Sequence, residues 1–413
     1  MNHASPAIDA NNWPDIARSP KSAFRAYVAK RLLTRISVQV PVNVQLPDGS
    51  MVRPPVIGNP TLIIHSENFF HRLGSDLKIG LGESYMAGEW SPAADSDLAD
   101  VLTPFAERLL DIVPAWMRKF RTLLEPRQPA DEENHRKGAR NNISRHYDLS
   151  NKLFTEFLDE TMTYSAAWFD GLPVEFKNLA DAQRKKVNGI LDFARVSEGS
   201  RILEIGSGWG ELALQAAARR AQVHTITLSQ EQLSLAQERF VAAGVSDRIN
   251  IELRDYRDVH AEYDAVASVE MIEAVGEKYW PEYFASVASN LRSGGYFGLQ
   301  AITMPHDRML ASRHAYSWVH KYIFPGGLIP SVESIEDCCA RVGMKIVDRR
   351  SLQADYAWTL RLWRQRFNQN FATIQNEGFD EVFRKMWEFY LAYSEAGFAS
   401  GHLDVWQFGI VKA

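Results

Sequence analysis

The chain has 413 residues, of which 46% are hydrophobic and 23% charged. That make-up suits a folded protein of two or three domains and excludes both a single small module and wholesale disorder. With 46 Lys and Arg against 51 Asp and Glu, the net charge of −5 argues against a nucleic-acid partner, whose phosphates would call for a cationic excess.

The polar, Pro-interrupted start lacks the charged head and apolar centre of a signal peptide, and no apolar run reaches the roughly 18 residues that span a bilayer. Cys338 and Cys339 are adjacent, where a disulfide would be strained and close almost no loop. Both features suit a cytoplasmic protein. Over 23–36 the periodicity predicts a basic amphipathic helix, with Phe24, Tyr27, Val28 and Leu32 on one face and Arg25, Lys30, Arg31 and Arg35 toward the other. Strands over 38–46 and 61–64, a Pro47-Asp48-Gly49-Ser50 turn and a helix over 69–73 complete a small α+β unit, residues 1–124. A helical pattern over 105–124 ends in Arg118, Lys119, Phe120 and Arg121, and the charged stretch 125–140 reads as a linker. In the remainder, 141–413, strands over 201–205, 222–227, 249–253, 263–269 and 296–302 alternate with helices over 211–220, 231–243 and 279–291. That alternation predicts an α/β, doubly wound parallel sheet.

The first strand runs into Gly206-Ser207-Gly208-Trp209-Gly210, a tight turn that lets a ligand approach the backbone. The second strand ends in Thr227-Leu228-Ser229, without the acid that a dinucleotide enzyme places on a ribose, so NAD is disfavoured. Glu204 in the first strand and Asp255 after the third suit S-adenosylmethionine, the one facing a cationic ligand and the other its adenine. Three blocks in order, 203–210, 228–232 and 254–258, resemble the class I methyltransferases, with their Rossmann-like sheet. No metal site is expected.

Further blocks narrow the resemblance. Arg145-His146-Tyr147-Asp148-Leu149-Ser150-Asn151, Thr163-Tyr164-Ser165, Val269-Glu270-Met271-Ile272-Glu273-Ala274-Val275-Gly276, Lys321-Tyr322-Ile323-Phe324-Pro325-Gly326-Gly327 and Ala354-Asp355-Tyr356 resemble the cyclopropane-fatty-acyl-phospholipid synthase family, in family order. Upstream, the stretch 81–90 resembles the N-terminal domain of its phospholipid-modifying members. The resemblance implies methyl transfer from S-adenosylmethionine to the cis double bond of an unsaturated acyl chain in a membrane phospholipid. It also implies cofactor contacts at Tyr164, Ser165, Gly206, Gly208, Thr227, Leu228, Gln232 and Tyr256, a peripheral place at the inner membrane face, and a homodimer. The basic segments 25–35 and 118–121 are candidates for attraction to anionic headgroups.

An alkene is a poor nucleophile, and its methylation leaves a carbocation that aromatic faces stabilise. Trp168, Phe169, Tyr316, Trp318 and Tyr322 are candidates, with ordinary core packing as the competing role for each. In cyclopropane-forming members a bicarbonate, held by a Cys, a Glu, a His, an Ile backbone group and a Tyr, takes the proton. Glu273, Ile302 and Tyr356 match three of these positions, whereas Ala166 stands for the Cys and Gln300 for the His. Neither replacement is a titratable group, which sets bicarbonate use in question. Two outcomes stay open: a cyclopropane, or, after a hydride shift, an exocyclic methylene, the precursor of a mid-chain methyl branch that a separate reductase partner would saturate. The altered pocket and the stretches 159–165 and 401–408 favour the methylene and resemble the actinobacterial enzymes that make the precursor of tuberculostearic acid. A non-catalytic lipid carrier and a small-molecule methyltransferase are the competing classes.

Overall fold

The computed structural model describes residues 8–108, 151–313 and 315–413. The expected helix end and cationic cluster at 118–121, the linker 125–140 and the block 145–150 lie outside the described residues. The chain divides into two compact units. The smaller takes in the described part of Met1–Arg127 together with Ala315–Ile323 and Phe367–His402, and the larger the described part of Gln128–His314 with Phe324–Arg366 and Leu403–Ala413.

In the smaller unit, β1 (Asn43–Gln45), β2 (Thr61–Ile64) and β3 (Trp90–Pro92) form a three-stranded sheet. β1 is shorter than the predicted 38–46 and pairs with β2 in parallel, Asn43 opposite Thr61. The Pro47–Ser50 turn closes on itself, Leu46 N–H donating to Ser50 O at 2.8 Å, so it does not hairpin β1 onto β2. The helix Ala23–Ser37 forms as predicted, capped by Ser22, whose hydroxyl accepts from Arg25 N. It buries Ala29 and Leu33 and leaves Phe24, Tyr27 and Val28 exposed, at 78%, 56% and 47%. Where the sequence reading ends the first unit at 124, packing brings the later helix Glu381–Ala399 into it, against the helices Leu77–Met86 and Leu98–Glu107. Tyr85 donates to Glu388 at 2.8 Å, and Phe389 packs on Tyr85 and Trp90. Such contacts across 300 residues leave no periodic trace in the sequence.

In the larger unit, β4 (Arg201–Ile205), β5 (Gln222–Thr227), β6 (Ile249–Leu253) and β7 (Tyr263–Val269) fall where the sequence places them. With β8 (Leu291–Thr303), β9 (Met344–Ser351) and β10 (Asp404–Lys412) they make one sheet, ordered β6-β5-β4-β7-β8-β10-β9. The sheet is not wholly parallel: β10 inserts between β8 and β9 and runs antiparallel to both. Apolar clusters cover both faces, one around Val187, Ile190 and Ala213, the other around Tyr283, Phe284 and Phe297. Strand order reverses between β4 and β7, and ligands of doubly wound sheets bind at the carboxyl ends of strands at such a reversal. Gly206 follows β4 there, and Glu270 follows β7.

Candidate active site

One cavity opens at this reversal, and all ten residues read as cofactor contacts line it: Tyr164, Ser165, Glu204, Gly206, Gly208, Thr227, Leu228, Gln232, Asp255 and Tyr256. The turn after β4 is built by positive φ at Gly206 (+95°) and Gly210 (+91°), and a Cβ on Gly210 would sit 2.6 Å from the Phe240 ring. Trp209 donates through its indole N–H to Asn151 Oδ1 at 2.7 Å, tying the turn to the helix Asn151–Phe157. Thr227 donates to Gln232 Oε1 at 2.8 Å across the next turn.

Glu204 and Asp255 behave differently. The Oε2 of Glu204 is buried with no hydrogen-bond partner among the described residues, and burial pushes its carboxyl up to about 8. A buried carboxyl with an unpartnered oxygen on a cavity wall fits a cationic ligand, which S-adenosylmethionine is, and whose charge would favour the ionised form. Asp255 instead holds Arg257, Oδ1 to Nε at 2.8 Å and Oδ2 to Nη2 at 2.7 Å, so the expected adenine acceptor is already neutralised by a bidentate guanidinium.

The expected anion ligands fall into two groups. Glu273 accepts from the Ile302 amide, and its other oxygen is buried without a partner among the described residues. Burial, and then the charge of Glu270, push its carboxyl up to about 8. Ala166, Gln300 and Tyr356 gather on a residue the sequence reading did not select, Glu270. Its Oε1 accepts from Ala166 N at 2.9 Å and Gln300 Nε2 at 2.7 Å, and its Oε2 accepts from Tyr356 OH at 2.6 Å. Tyr356 and Glu273 are expected to face one anion; in the structure the phenol is bonded to Glu270 and not to Glu273.

Gln300 is oriented in turn by Gln407, whose Nε2 donates to Gln300 Oε1 at 3.0 Å and to Lys186 O at 3.0 Å. Lys186 is fully buried, donates to Ser165 Oγ at 2.5 Å and lines the cavity. Burial lowers its ammonium to about 8, against the opposing pull of Glu270, Asp159, Glu211 and Glu204. Glu270 and Lys186 had weak sequence signals: Glu270 lies in the quoted 269–276 block but three positions from a second glutamate, and Lys186 follows another lysine on an amphipathic helix. None of the five candidate aromatics lines the cavity. Trp168 is stacked by the Arg350 guanidinium at 3.7 Å, and Phe169 is core. In the smaller unit Trp318 packs on Phe389, Tyr322 donates to Glu83 at 2.8 Å, and Tyr316 stacks with His320. The rings at the cavity are Tyr164, Trp209 and Tyr256.

The family described as mycolic acid cyclopropane synthetase matches residues 134–408. The chain belongs to this family. As a member it is a methyltransferase that uses S-adenosylmethionine to modify unsaturated fatty acyl chains. It is 49% identical over 417 residues, 99% of this chain and 97% of the relative, to the tuberculostearic acid methyltransferase UfaA1 of Mycobacterium tuberculosis. It is 32% identical over 382 residues, 92% of this chain and 91% of the relative, to the cyclopropane-fatty-acyl-phospholipid synthase of Escherichia coli. Among solved structures, the mycolic acid cyclopropane synthase CmaA1 complexed with SAH and CTAB superposes with a TM-score of 0.61 at 26% identity, covering 69% of this chain and 99% of that one. The cyclopropane synthase MmaA2 of Mycobacterium tuberculosis gives 0.61 at 28%, covering 66% and 98%.

Proposed function

We propose that this family member methylates the cis double bond of an unsaturated acyl chain within a membrane phospholipid and releases a methylene-branched chain, which a reductase then saturates. The observation that carries the methylene product is the 49% identity across 99% of the chain with a tuberculostearic acid methyltransferase, against 32% with a cyclopropane-forming relative. The pocket agrees, since Ala166 and Gln300 replace two of the groups expected to hold bicarbonate.

When bound against Glu204, Gly206, Thr227 and Tyr256, S-adenosylmethionine supplies an electrophilic methyl group. The chain's own residues do the rest. Glu204 offers the unpartnered oxygen of its carboxyl to a cationic ligand, and the apolar wall of Val187, Leu212, Ile226, Val269 and Val275 limits water around the reacting carbons.

The lipid surface has a fitting counterpart in the smaller unit. From Ile16 to Pro47 the sequence holds six Lys or Arg and no Asp or Glu. On the helix Ala23–Ser37 the exposed Phe24, Tyr27 and Val28 continue along one stripe into the exposed Arg31 and Arg35. Exposed aromatics beside cations suit an anionic phospholipid surface. Among the described residues no helix is long and apolar enough to cross a membrane.

The test is to incubate the purified chain with methyl-labelled S-adenosylmethionine and oleoyl phospholipid liposomes and to read the acyl product by proton NMR. Vinylidene protons are expected. Upfield cyclopropyl protons would replace the methylene product with a ring, and unlabelled lipid would overturn acyl methylation.

A further inference from the structure

Glu270 occupies a backbone position that suits glycine. Its φ of +49° lies in the left-handed region, which costs a non-glycine residue about 1–2 kcal/mol. Such strain persists where the side chain earns its place through function or surrounding contacts. Here the side chain is met by three donors from three separate parts of the chain. They are the Ala166 amide after Tyr164-Ser165, the Gln300 amide on β8, and the Tyr356 phenol on the helix Gln353–Gln369. The Glu270 amide returns a hydrogen bond to Gln300 O at 2.8 Å. The carboxylate lines the same cavity as Tyr164 and Gly206.

Three of the five positions implied for a bicarbonate site are thus bonded to a carboxylate of the chain itself, and the other two, Glu273 and Ile302, are bonded to each other. The anion that cyclopropane-forming relatives are expected to borrow is built in. Glu273 is the poorer placed carboxyl, since it accepts from the Ile302 amide and does not line the cavity. Gln300 has no proton to exchange in this range. Burial raises the Glu270 carboxyl above its ordinary range, which strengthens it as a base, while the Tyr356 hydrogen bond and the nearby Lys186 charge oppose that rise.

We propose that Glu270 is the catalytic base that removes the proton from the newly added methyl group, in place of a bound bicarbonate. The step rests on the acyl methylation proposed above. After methyl transfer, a 1,2-hydride shift places the positive charge on the methyl-bearing carbon. One methyl C–H bond then breaks, its electron pair becomes the second bond of the exocyclic C=CH2, and the proton passes to a Glu270 oxygen. Nothing is oxidised or reduced, and the carboxylic acid returns its proton to solvent after product leaves. Tyr356 and Gln300 are positioning residues that aim the carboxylate.

The experiment compares the full chain with Glu270→Gly and Glu270→Gln, using labelled S-adenosylmethionine and oleoyl phospholipid liposomes in buffer with and without bicarbonate. The parent should turn over at the same rate in both. Both variants should lose roughly 10²–10⁴-fold in kcat, the range for removing a positioned general base. Glu270→Gly relieves the backbone and should melt no lower than the parent; added formate or bicarbonate should enter the vacated space and restore part of its rate. Glu270→Gln fills that space and should not be rescued. Titration with 13C-bicarbonate by NMR reads the seat without turnover: no saturable site in the parent, one in Glu270→Gly. A parent that slows when bicarbonate is removed, a parent that binds 13C-bicarbonate at this seat, or a Glu270→Gly variant at parental rate would each overturn the proposal. A parent that labels no lipid would instead defeat acyl methylation, with the bicarbonate titration still deciding whether Glu270 occupies the anion seat.

Discussion

Two buried carboxylates of the larger unit show how one residue type is put to different uses by its surroundings. Among the described residues Glu204 has no partner for one oxygen, whereas Glu270 has three donors. Because burial raises the Glu204 carboxyl from its ordinary 4.5 to about 8, the folded chain keeps a proton that the unfolded chain has released between those values. Stability therefore falls as pH rises through that window and levels off above it. Glu204→Gln should flatten this slope, melting higher than the parent at pH 8 and close to it at pH 4.5, with Glu273 leaving its own share of the slope in place. The same variant should bind S-adenosylmethionine about 10- to 100-fold more weakly, the cost of a lost charged hydrogen bond, which calorimetry would read. Tyr356→Phe removes one donor from Glu270 at a residue that does not itself line the cavity. A fall of about tenfold or more in kcat is expected, at unchanged affinity for the methyl donor. Weaker donor binding without a kcat effect would contradict that assignment.

At the scale of elements, the turn after β4 is tightly specified. Gly210 combines φ of +91° with a Cβ position 2.6 Å from Phe240, on the helix Gln230–Ala242. Gly210→Ala should destabilise by roughly 1–3 kcal/mol, from strain and overpacking together, visible as a lower thermal midpoint with or without S-adenosylmethionine. Gly199→Ala provides the contrast: φ is +80° but nothing lies within 4 Å, so only the backbone strain applies and the drop should be smaller. The helix Ala23–Ser37 shows the limit of periodicity as a guide. Its sequence carries an apolar face in Phe24, Tyr27, Val28 and Leu32, yet the contacts of the fold bury Ala29 and Leu33 and leave the aromatics outside.

For the molecule as a whole, a net charge of −5 sets a general repulsion from anionic membranes, and a local cationic run of six Lys and Arg opposes it. Vesicle binding should depend on that run together with the exposed apolar side chains beside it. Serine at Phe24, Tyr27 and Val28 together should weaken sedimentation with anionic vesicles about tenfold or more, since each large side chain contributes of order 1 kcal/mol or more on leaving water. Added salt should weaken the parent's binding further by screening the arginines. Rates on substrate dispersed in detergent should be unaffected. Equal binding to zwitterionic and anionic vesicles at low salt would remove the role of the cations.

Much of this protein is local in character and was therefore readable before any fold was known. β4 to β7 lie within the strands read from apolar runs, and the ten cofactor positions sit in four short blocks whose glycines, capping serine and acids act on their immediate neighbours. Other features depend on distant parts of the chain. Glu270 and Glu273 are three residues apart with the same chemistry, and only the left-handed turn at Glu270, with Val269 registered beside Gln300 on β8, decides which carboxylate meets Tyr356. Likewise, the antiparallel insertion of β10 and the packing of Glu381–Ala399 within the smaller unit follow from complementary surfaces far apart in the sequence. Periodicity and turn chemistry report on a residue's neighbours in sequence. Burial, register and the pairing of remote polar groups are properties of the assembled chain, and they decide which carboxylate stands ready to accept a proton.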